Sequence, residues 1–157
     1  MEEIDFCWRA KRAGHKVVVC TESIVYHLGG GTLDYGNPRK TFLNFRNNLN
    51  TMLKHENAGA FLWKFPTRLV LDGIAGLKFL LSNNGSSTIA ILKSHLAVYA
   101  AMAHTFRKRA LYNRLIKENR INHKSDSGRY SGSILIAYYL KGRKHFSEII
   151  NQSTQLS

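Results

Sequence analysis

Apolar residues recur at helical spacing over most of the chain, beginning close to its first residue. In the stretch 2–14, Ile4, Cys7 and Trp8 lie three and four positions apart, which places them on one face of a helix. Gly14 follows this stretch and is a typical helix terminator. The pattern therefore predicts a first helix over residues 2–14.

Two short β-branched runs follow this helix and have no helical period. They are "KVVVC" at 16–20 and "SIVYHLG" at 23–29, and both are typical of strands. The next residues, "GGGT" at 29–32, favour a loop, which we expect to continue to Pro38.

Helical spacing returns at Pro38 and continues through most of the remaining chain. Proline at the first turn of a helix is favourable, whereas Pro66 lies inside a predicted helix and should bend it. Ser87 or Thr88 could cap the helix that follows the "NNGSS" loop. The predicted helices are 38–57, 59–82 and 88–119, the last of them either one long helix or a broken one. A linker at 122–133 and one or two short basic helices follow.

Two strands without further partners do not make a stable sheet. The pattern therefore predicts an α/β fragment, mostly α, in which one helix and two short strands end a larger sheet domain and a C-terminal helical region follows. The expected domains are residues 1–37, 38–121 and 122–157. The remainder of the sheet is expected upstream of Met1.

The charge of the chain indicates a polyanionic partner. The net charge is +13, and residues 105–157 alone contain eleven Lys or Arg and three acidic residues. Nucleic acid is disfavoured because no recognition helix, zinc finger or aromatic-interleaved sheet motif accompanies the charge. A solvated helix face and an anionic membrane surface stay open.

A membrane surface is also favoured by the apolar residues of the stretch 59–103. They include Trp63, while Lys64, Arg68 and Asp72 lie four apart on another face. Such helices can lie in the headgroup plane, and we expect peripheral association with an anionic membrane. The competing interpretation is that this apolar face packs only on the missing half of the protein.

Candidate chemistry lies at two places near the start of the chain. Glu2, Glu3 and Asp5 suit the positive end of the first helix, but paired carboxylates can also perform general base catalysis. His27 ends the second predicted strand and precedes three glycines, where it could ligate a metal or contact a phosphate.

Taken together, these stretches resemble a known enzyme family. An acidic pair, the helix "DFCWRAKRAGHKV", a strand and "YHLGG" occur in the order found in family-2 glycosyltransferases, which are inverting enzymes with the GT-A fold. The chain is most similar to their bacterial rhamnosyltransferase-like branch. The similarity covers Glu2 to about Thr32, and a weaker one continues through "GNPRKTFLNFRNNL", whose Arg46–Asn47 pair matches an Arg-Asn pair after the catalytic domain.

The resemblance implies roles for the acidic residues. Glu3 occupies the position of the catalytic base, where the family usually has Asp, and Glu2 is the alternative. Asp5 matches an acid that orients the site, and Trp8 matches a tryptophan that packs on the acceptor side. The base would deprotonate an acceptor hydroxyl during a single in-line displacement with inversion.

The resemblance further implies a metal-dependent donor site. His27 matches the histidine that completes the coordination of a divalent cation, Mg²⁺ or Mn²⁺, on the donor diphosphate. Gly29, Gly30, Gly31 and Thr32 match the loop that folds over the donor.

The implied function is transfer of one sugar from a nucleotide-diphospho-sugar to a cell-surface glycan or a polyprenyl-diphosphate-linked acceptor, in the cytoplasm at the inner face of the cell membrane. The sequence has no D-x-D motif and no strand–loop–helix before residue 2, so we expect a truncated C-terminal portion that is inactive alone. It also has no Q-x-x-R-W motif, which favours addition of single sugars. The alternative is a non-catalytic basic helical module that docks on a membrane surface or a partner protein.

Overall fold

A computed structural model describes residues 2–26, 36–119, 132–134, 136–145 and 147–150, and all regular structure within these ranges is helical. The chain forms two compact units, residues 1–121 and 122–157, which are described separately. The first unit contains α1 (Glu2–Arg12), α2 (Pro38–His55), α3 (Ala58–Leu81), α4 (Gly85–Ala100) and α5 (Met102–Glu118). The second contains a π-helical turn (Ile136–Leu140) and α6 (Ser147–Ile150).

The prediction of an α/β fragment with two short strands is wrong. Residues 16–20 and 23–26 form no strand, and Val18, Val19 and Val25 are exposed. Residues 27–29, the end of the second predicted strand, lie outside the described ranges. A β-branched run forms a strand only where a neighbouring strand takes up its backbone hydrogen bonds, and no described residue provides one.

Asparagine side chains begin three of the helices. The Oδ1 atom of Asn37 accepts a hydrogen bond from the Arg39 amide, and Asn57 accepts one from the Ala60 amide at 2.7 Å. Asn84 accepts one from the Ser87 amide at 3.3 Å, so α4 starts before the predicted Ser87 or Thr88 cap. Each side chain satisfies an amide that the first turn of a helix leaves without a backbone partner.

The long helix predicted over 88–119 is divided at Ala101 into α4 and α5. Ala101 ends one helix and precedes the next, and its amide bonds to the carbonyl oxygens of Ala97 and Tyr99. The division separates the apolar α4 from the basic α5 and lets both helices pack against α2.

The centre of the first unit is a small core between α2 and α4. Leu49, Leu53 and Val98 are completely buried, and Phe61 and Phe65 of α3 pack against them. Burial of a leucine side chain contributes about 1.5–3 kcal/mol, so these contacts hold the helices together. The core thereby fixes the position of the last turns of α2.

A polar chain joins α3 to α4 beside this core. The carboxylate of Asp72 is buried, with Oδ1 2.7 Å from Nε of Arg68 and Oδ2 3.1 Å from Nε2 of His95. Nδ1 of His95 lies 3.2 Å from the Tyr99 hydroxyl. Because a buried carboxylate is costly unless it is paired, these partners explain why Asp72 is tolerated there.

Helix α1 is attached to α5 by its basic side chains. Nη2 of Arg12 donates to Oδ1 of Asn113 at 2.6 Å, and the guanidinium of Arg9 lies 5.3 Å from the centre of the Tyr112 ring. These contacts hold the second half of α1 against α5.

In the second unit, the π-helical turn is closed by backbone hydrogen bonds. The amide of Lys141 donates to the carbonyl of Ile136, and Ala137 is buried. The other described side chains of this turn are exposed.

Candidate functional site

A cleft of about 430 Å³ lies between α1, α2 and α5. It is open to solvent and has mostly polar walls. Helix α1 contributes Asp5 and Arg9, and α2 contributes several side chains one turn apart. The lining residues are Asp5, Arg9, Arg46, Asn47, Asn50, Thr51, Lys54, Ala101, His104, Thr105 and Lys108.

Asp5 is the only carboxylate among these lining residues, and three side chains hold it. Its Oδ1 atom lies 2.8 Å from Nε2 of His55 and 3.3 Å from Nζ of Lys54, while Oδ2 lies 3.1 Å from Nε of Arg9. Lys54 and His55 form the last turn of α2. The core that positions this turn therefore also positions Asp5.

The pKa values of this pair indicate an ionised aspartate and a neutral histidine. Burial alone would raise the pKa of Asp5, but the hydrogen bond from His55 and the charge of Lys54 outweigh it and leave the pKa below its ordinary value. Burial lowers the pKa of His55, and the interaction with Asp5 only partly opposes this. Because an ionised carboxylate only accepts, Nε2 of His55 is the protonated nitrogen and donates to Asp5.

His55 is buried, and its ring is stacked on Trp8. The two ring centres are 4.9 Å apart with an angle of 12° between the planes. Its second nitrogen, Nδ1, is buried and has no hydrogen-bond partner among the described residues. The stack and the hydrogen bond to Asp5 together hold the imidazole in one orientation.

Arg46 and Asn47 of α2 also line the cleft. Nε and Nη2 of Arg46 both donate to Oδ1 of Asn47, at 3.1 and 2.9 Å, and the Arg46 guanidinium also lies 5.4 Å from the centre of the Phe42 ring. These contacts fix the plane of the guanidinium. A planar guanidinium presents donors in a geometry that matches phosphate and carboxylate oxygens.

The cleft has a positive balance of charge. Four basic side chains line it, those of Arg9, Arg46, Lys54 and Lys108, whereas Asp5 provides the single carboxylate. The imidazole of His104 also lines the cleft. Two of these cations, Arg9 and Lys54, are paired with Asp5. An anion with several oxygen acceptors, such as a diphosphate, would meet Arg46 and Lys108 beside the paired cations.

Of the predicted catalytic residues whose side chains the structure describes, one lines the cleft and one does not. Asp5 lies in the cleft, whereas Glu3, two residues earlier on the same helix, is exposed and does not line it. Trp8 is stacked on His55 and is not among the residues that line the cleft. The side chain of Glu2 lies outside the described part of the chain, so the choice of Glu3 or Glu2 as the base stays a prediction.

The predicted donor residues, His27 with Gly29, Gly30, Gly31 and Thr32, all lie outside the described ranges. Within those ranges, no group of three His, Cys, Asp or Glu side chains is arranged to hold a metal ion. Asp5 does not fit such a role, since both of its oxygens face cations. The Mg²⁺ or Mn²⁺ site at His27 therefore stays a prediction.

Sequence reasoning did not find Lys54, His55, His104 or Lys108 as cleft residues. Lys54 and His55 end a helix, where basic residues are common for reasons of the helix dipole alone. Lys108 lies in the basic run of α5, where neighbouring cations at 107 and 109 have the same appearance in the sequence. Only the packing of α1 and α5 against α2 distinguishes these residues from their neighbours.

No family model matches the chain, and neither the curated proteins nor the solved structures contain a match to it. Of the helices that the structure describes, none is both long enough and apolar enough to cross a membrane.

Proposed function

We propose that this chain forms the C-terminal part of an inverting family-2 glycosyltransferase, which transfers one sugar from a nucleotide-diphospho-sugar to a cell-surface glycan or lipid-linked acceptor. One observation supports the proposal most directly. The two stretches that resemble the family, residues 2–32 and the Arg46–Asn47 pair, are separate in the sequence, and Asp5 and Arg46 line one cleft.

The chemistry of the cleft fits a phosphorylated substrate. The donor and the polyprenyl-diphosphate-linked acceptor of the proposed reaction both have diphosphate groups. Arg46 and Lys108 lie on two different helices that border the same space. A guanidinium and an ammonium that line one cleft can contact one diphosphate together. We therefore assign the cleft to the diphosphate of either substrate.

In this proposal the acids of α1 have different tasks. Asp5 is held by Lys54 and His55 and has a lowered pKa, which makes it a weak base but a fixed anchor for the start of the helix. Glu3 is exposed and is the residue proposed to take the proton from the acceptor hydroxyl. A divalent cation at His27, when bound, would stabilise the charge of the leaving diphosphate.

The proposed location is the cytoplasm, at the inner face of the cell membrane. A polyprenyl-diphosphate-linked acceptor has its isoprenoid chain in the bilayer, so the transferase would need to reach the headgroup region. This location belongs to the proposal and rests on the chemistry of the proposed acceptor.

The test is a titration of the purified 157-residue chain with inorganic pyrophosphate at low ionic strength, followed by NMR or calorimetry. We expect saturable binding that weakens with salt, because the contacts are between charges. The double variant Arg46→Gln/Lys108→Gln should lose the binding, and the matched variant Lys78→Gln/Lys93→Gln, with both changes outside the cleft, should retain it. Equal binding by both double variants would contradict the assignment of the cleft.

Two further ligands distinguish whether the cleft binds the diphosphate of the donor or that of the acceptor. A nucleotide-diphospho-sugar such as dTDP-rhamnose represents the donor, and geranyl diphosphate represents the acceptor lipid. Competition of either with pyrophosphate identifies the source of the diphosphate. Genomic DNA upstream of Met1 tests the family assignment independently, since an in-frame strand–loop–helix with a D-x-D motif is expected there.

A further inference from the structure

Helices α3 and α4 expose an apolar surface that no other described element covers. On α3, Leu62, Trp63, Ile74 and Leu77 recur at helical spacing and are exposed, and on α4, Leu92 and Leu96 are exposed. We call these six residues the α3–α4 face. Single exposed apolar side chains are ordinary, but a series over two neighbouring helices indicates an interaction surface.

The surface is continuous from one helix to the other. Leu77 of α3 and Leu92 and Leu96 of α4 line the same groove, which has a volume of about 680 Å³. The groove has few polar atoms at its walls apart from the paired Asp72 and His95. The two helices therefore present one broad apolar area instead of two separate stripes.

The charges around this face have one sign. Asp72 is the only acidic residue between positions 57 and 117 of the sequence, and it is buried and paired with Arg68 and His95. Lys78 lies four residues after Ile74 on α3, and Lys93 lies three residues before Leu96 on α4, so each lysine is a helical neighbour of a residue of the face. Both lysines are exposed. On α3 and α4 themselves, an approaching surface would meet apolar side chains beside cations and no exposed carboxylate.

We propose that the α3–α4 face binds the surface of an anionic phospholipid bilayer. The leucines would enter the boundary between headgroups and acyl chains, while Lys78 and Lys93 extend to the phosphates. Trp63 lies at the end of the face near the start of α3, and tryptophan favours this boundary region. The charge pattern alone would also suit nucleic acid, but the outer surface of a duplex is mainly charged phosphate and sugar and would not cover a broad area of exposed leucines. The inference does not depend on glycosyl transfer.

The test is co-sedimentation of the purified chain with vesicles of phosphatidylcholine, alone or mixed with phosphatidylglycerol. We expect binding to the anionic vesicles that decreases with salt, and much weaker binding to phosphatidylcholine alone. The variant Leu77→Gln/Leu92→Gln should bind the anionic vesicles at least about tenfold more weakly. The variant Lys78→Gln/Lys93→Gln should lose about fivefold for each lysine, and only on anionic vesicles.

A matched variant provides the control for lost apolar surface. Leu111→Gln/Leu115→Gln changes two leucines of α5 that are 53% and 44% exposed, close to the 56% and 60% of Leu77 and Leu92. It should bind anionic vesicles as the unchanged chain does. Circular dichroism checks that all variants are folded.

A fluorescence measurement avoids substitution of the face itself. The chain has two tryptophans, so Trp8→Phe leaves only Trp63, which is 61% exposed. Its emission should shift to the blue on addition of anionic vesicles, and lipids with brominated acyl chains should quench it. An unchanged spectrum would overturn the proposal.

Other occupants of the face give different results. If the α3–α4 face joins two copies of this chain, light scattering shows a dimer that Leu77→Gln/Leu92→Gln converts to a monomer, with no binding to vesicles. If the charge serves nucleic acid, the chain binds duplex DNA and ignores vesicles. Either result would show that the proposal is wrong.

Discussion

Nε2 of His55 lies 2.8 Å from Oδ1 of Asp5, although the two residues are 50 positions apart in the sequence. The hydrogen bond joins the start of α1 to the end of α2 and forms one side of the cleft. It depends on a neutral imidazole and an ionised carboxylate, so its strength should depend on pH in a defined direction.

The free energy of unfolding should decrease as the pH falls below about 6.5. The pKa of His55 in the folded chain is lower than its ordinary value of 6.5, so below that pH the unfolded chain takes up a proton that the folded chain does not. Stability is thus lost as the pH falls through the unfolded pKa towards the folded one. Urea unfolding at several pH values measures this slope.

His55→Gln isolates the contribution of this residue, because glutamine can still donate to Asp5 but does not titrate. The variant should show a smaller change of stability between pH 7 and the folded pKa of His55 than the unchanged chain, whatever its absolute stability. Equal slopes for the two proteins would mean that His55 is not held neutral by burial.

Asp5→Asn should lower the free energy of unfolding by about 1–3 kcal/mol. The substitution removes the charge that Arg9, Lys54 and His55 all face, and hydrogen bonds to charged groups are worth about this much. Glu3→Gln on the exposed side of the same helix provides the comparison and should change stability by less than about 0.5 kcal/mol. Equal losses in chemical denaturation would assign the effect to the helix dipole instead of the cleft.

In a transfer-competent enzyme that contains this chain, Glu3→Gln should reduce the rate of transfer by about 10²–10⁴, the usual contribution of a general base. Donor affinity should hardly change, because the base acts on the acceptor. Glu2→Gln should have a smaller effect and Asp5→Asn an intermediate one. A comparison of initial rates and donor binding for the three variants decides the assignment, and an inactive Glu2→Gln with an active Glu3→Gln would move the base by one residue.

Leu53→Ala should destabilise the helical unit by about 2–5 kcal/mol, since it removes a completely buried side chain from the core. The control is Leu111→Ala, an exposed leucine of α5, which should have little effect on the unfolding midpoint. Similar midpoints for the two variants would contradict the packing of α2 against α4.

The sequence predicted the helices well and the strands wrongly, for one physical reason. The apolar periodicity of α2 and α3 is enough to predict a helix from local sequence, because an α-helix makes its backbone hydrogen bonds within one segment. The valines at 17–19 have strand propensity, but a strand needs a partner that local sequence does not reveal. The prediction of Ser87 or Thr88 as a cap failed because α4 already begins at Gly85, and Asn84 accepts the hydrogen bond from the Ser87 amide.

The cleft was predictable only in part. The acidic start of the chain and the Arg46–Asn47 pair were recognised from their resemblance to a family, but their proximity was not. Lys54, His55 and Lys108 join the cleft through contacts between α1, α2 and α5, which depend on tertiary packing. His55 in particular looks like any other histidine at the end of a helix until Trp8 and Asp5 are placed beside it.

The last turn of α2 has an implication for how this protein can diverge. Leu53 is in the core, its carbonyl oxygen accepts a hydrogen bond from Arg109 at 2.7 Å, and the next two residues, Lys54 and His55, hold Asp5. A substitution in this turn can therefore reduce fitness in two ways, by destabilising the core and by displacing Asp5 in the cleft. Substitutions should accumulate slowly at these three consecutive positions and more rapidly on the outer surface of α5. In homologous sequences the residues around the cleft would then vary less than the rest of the helical surface.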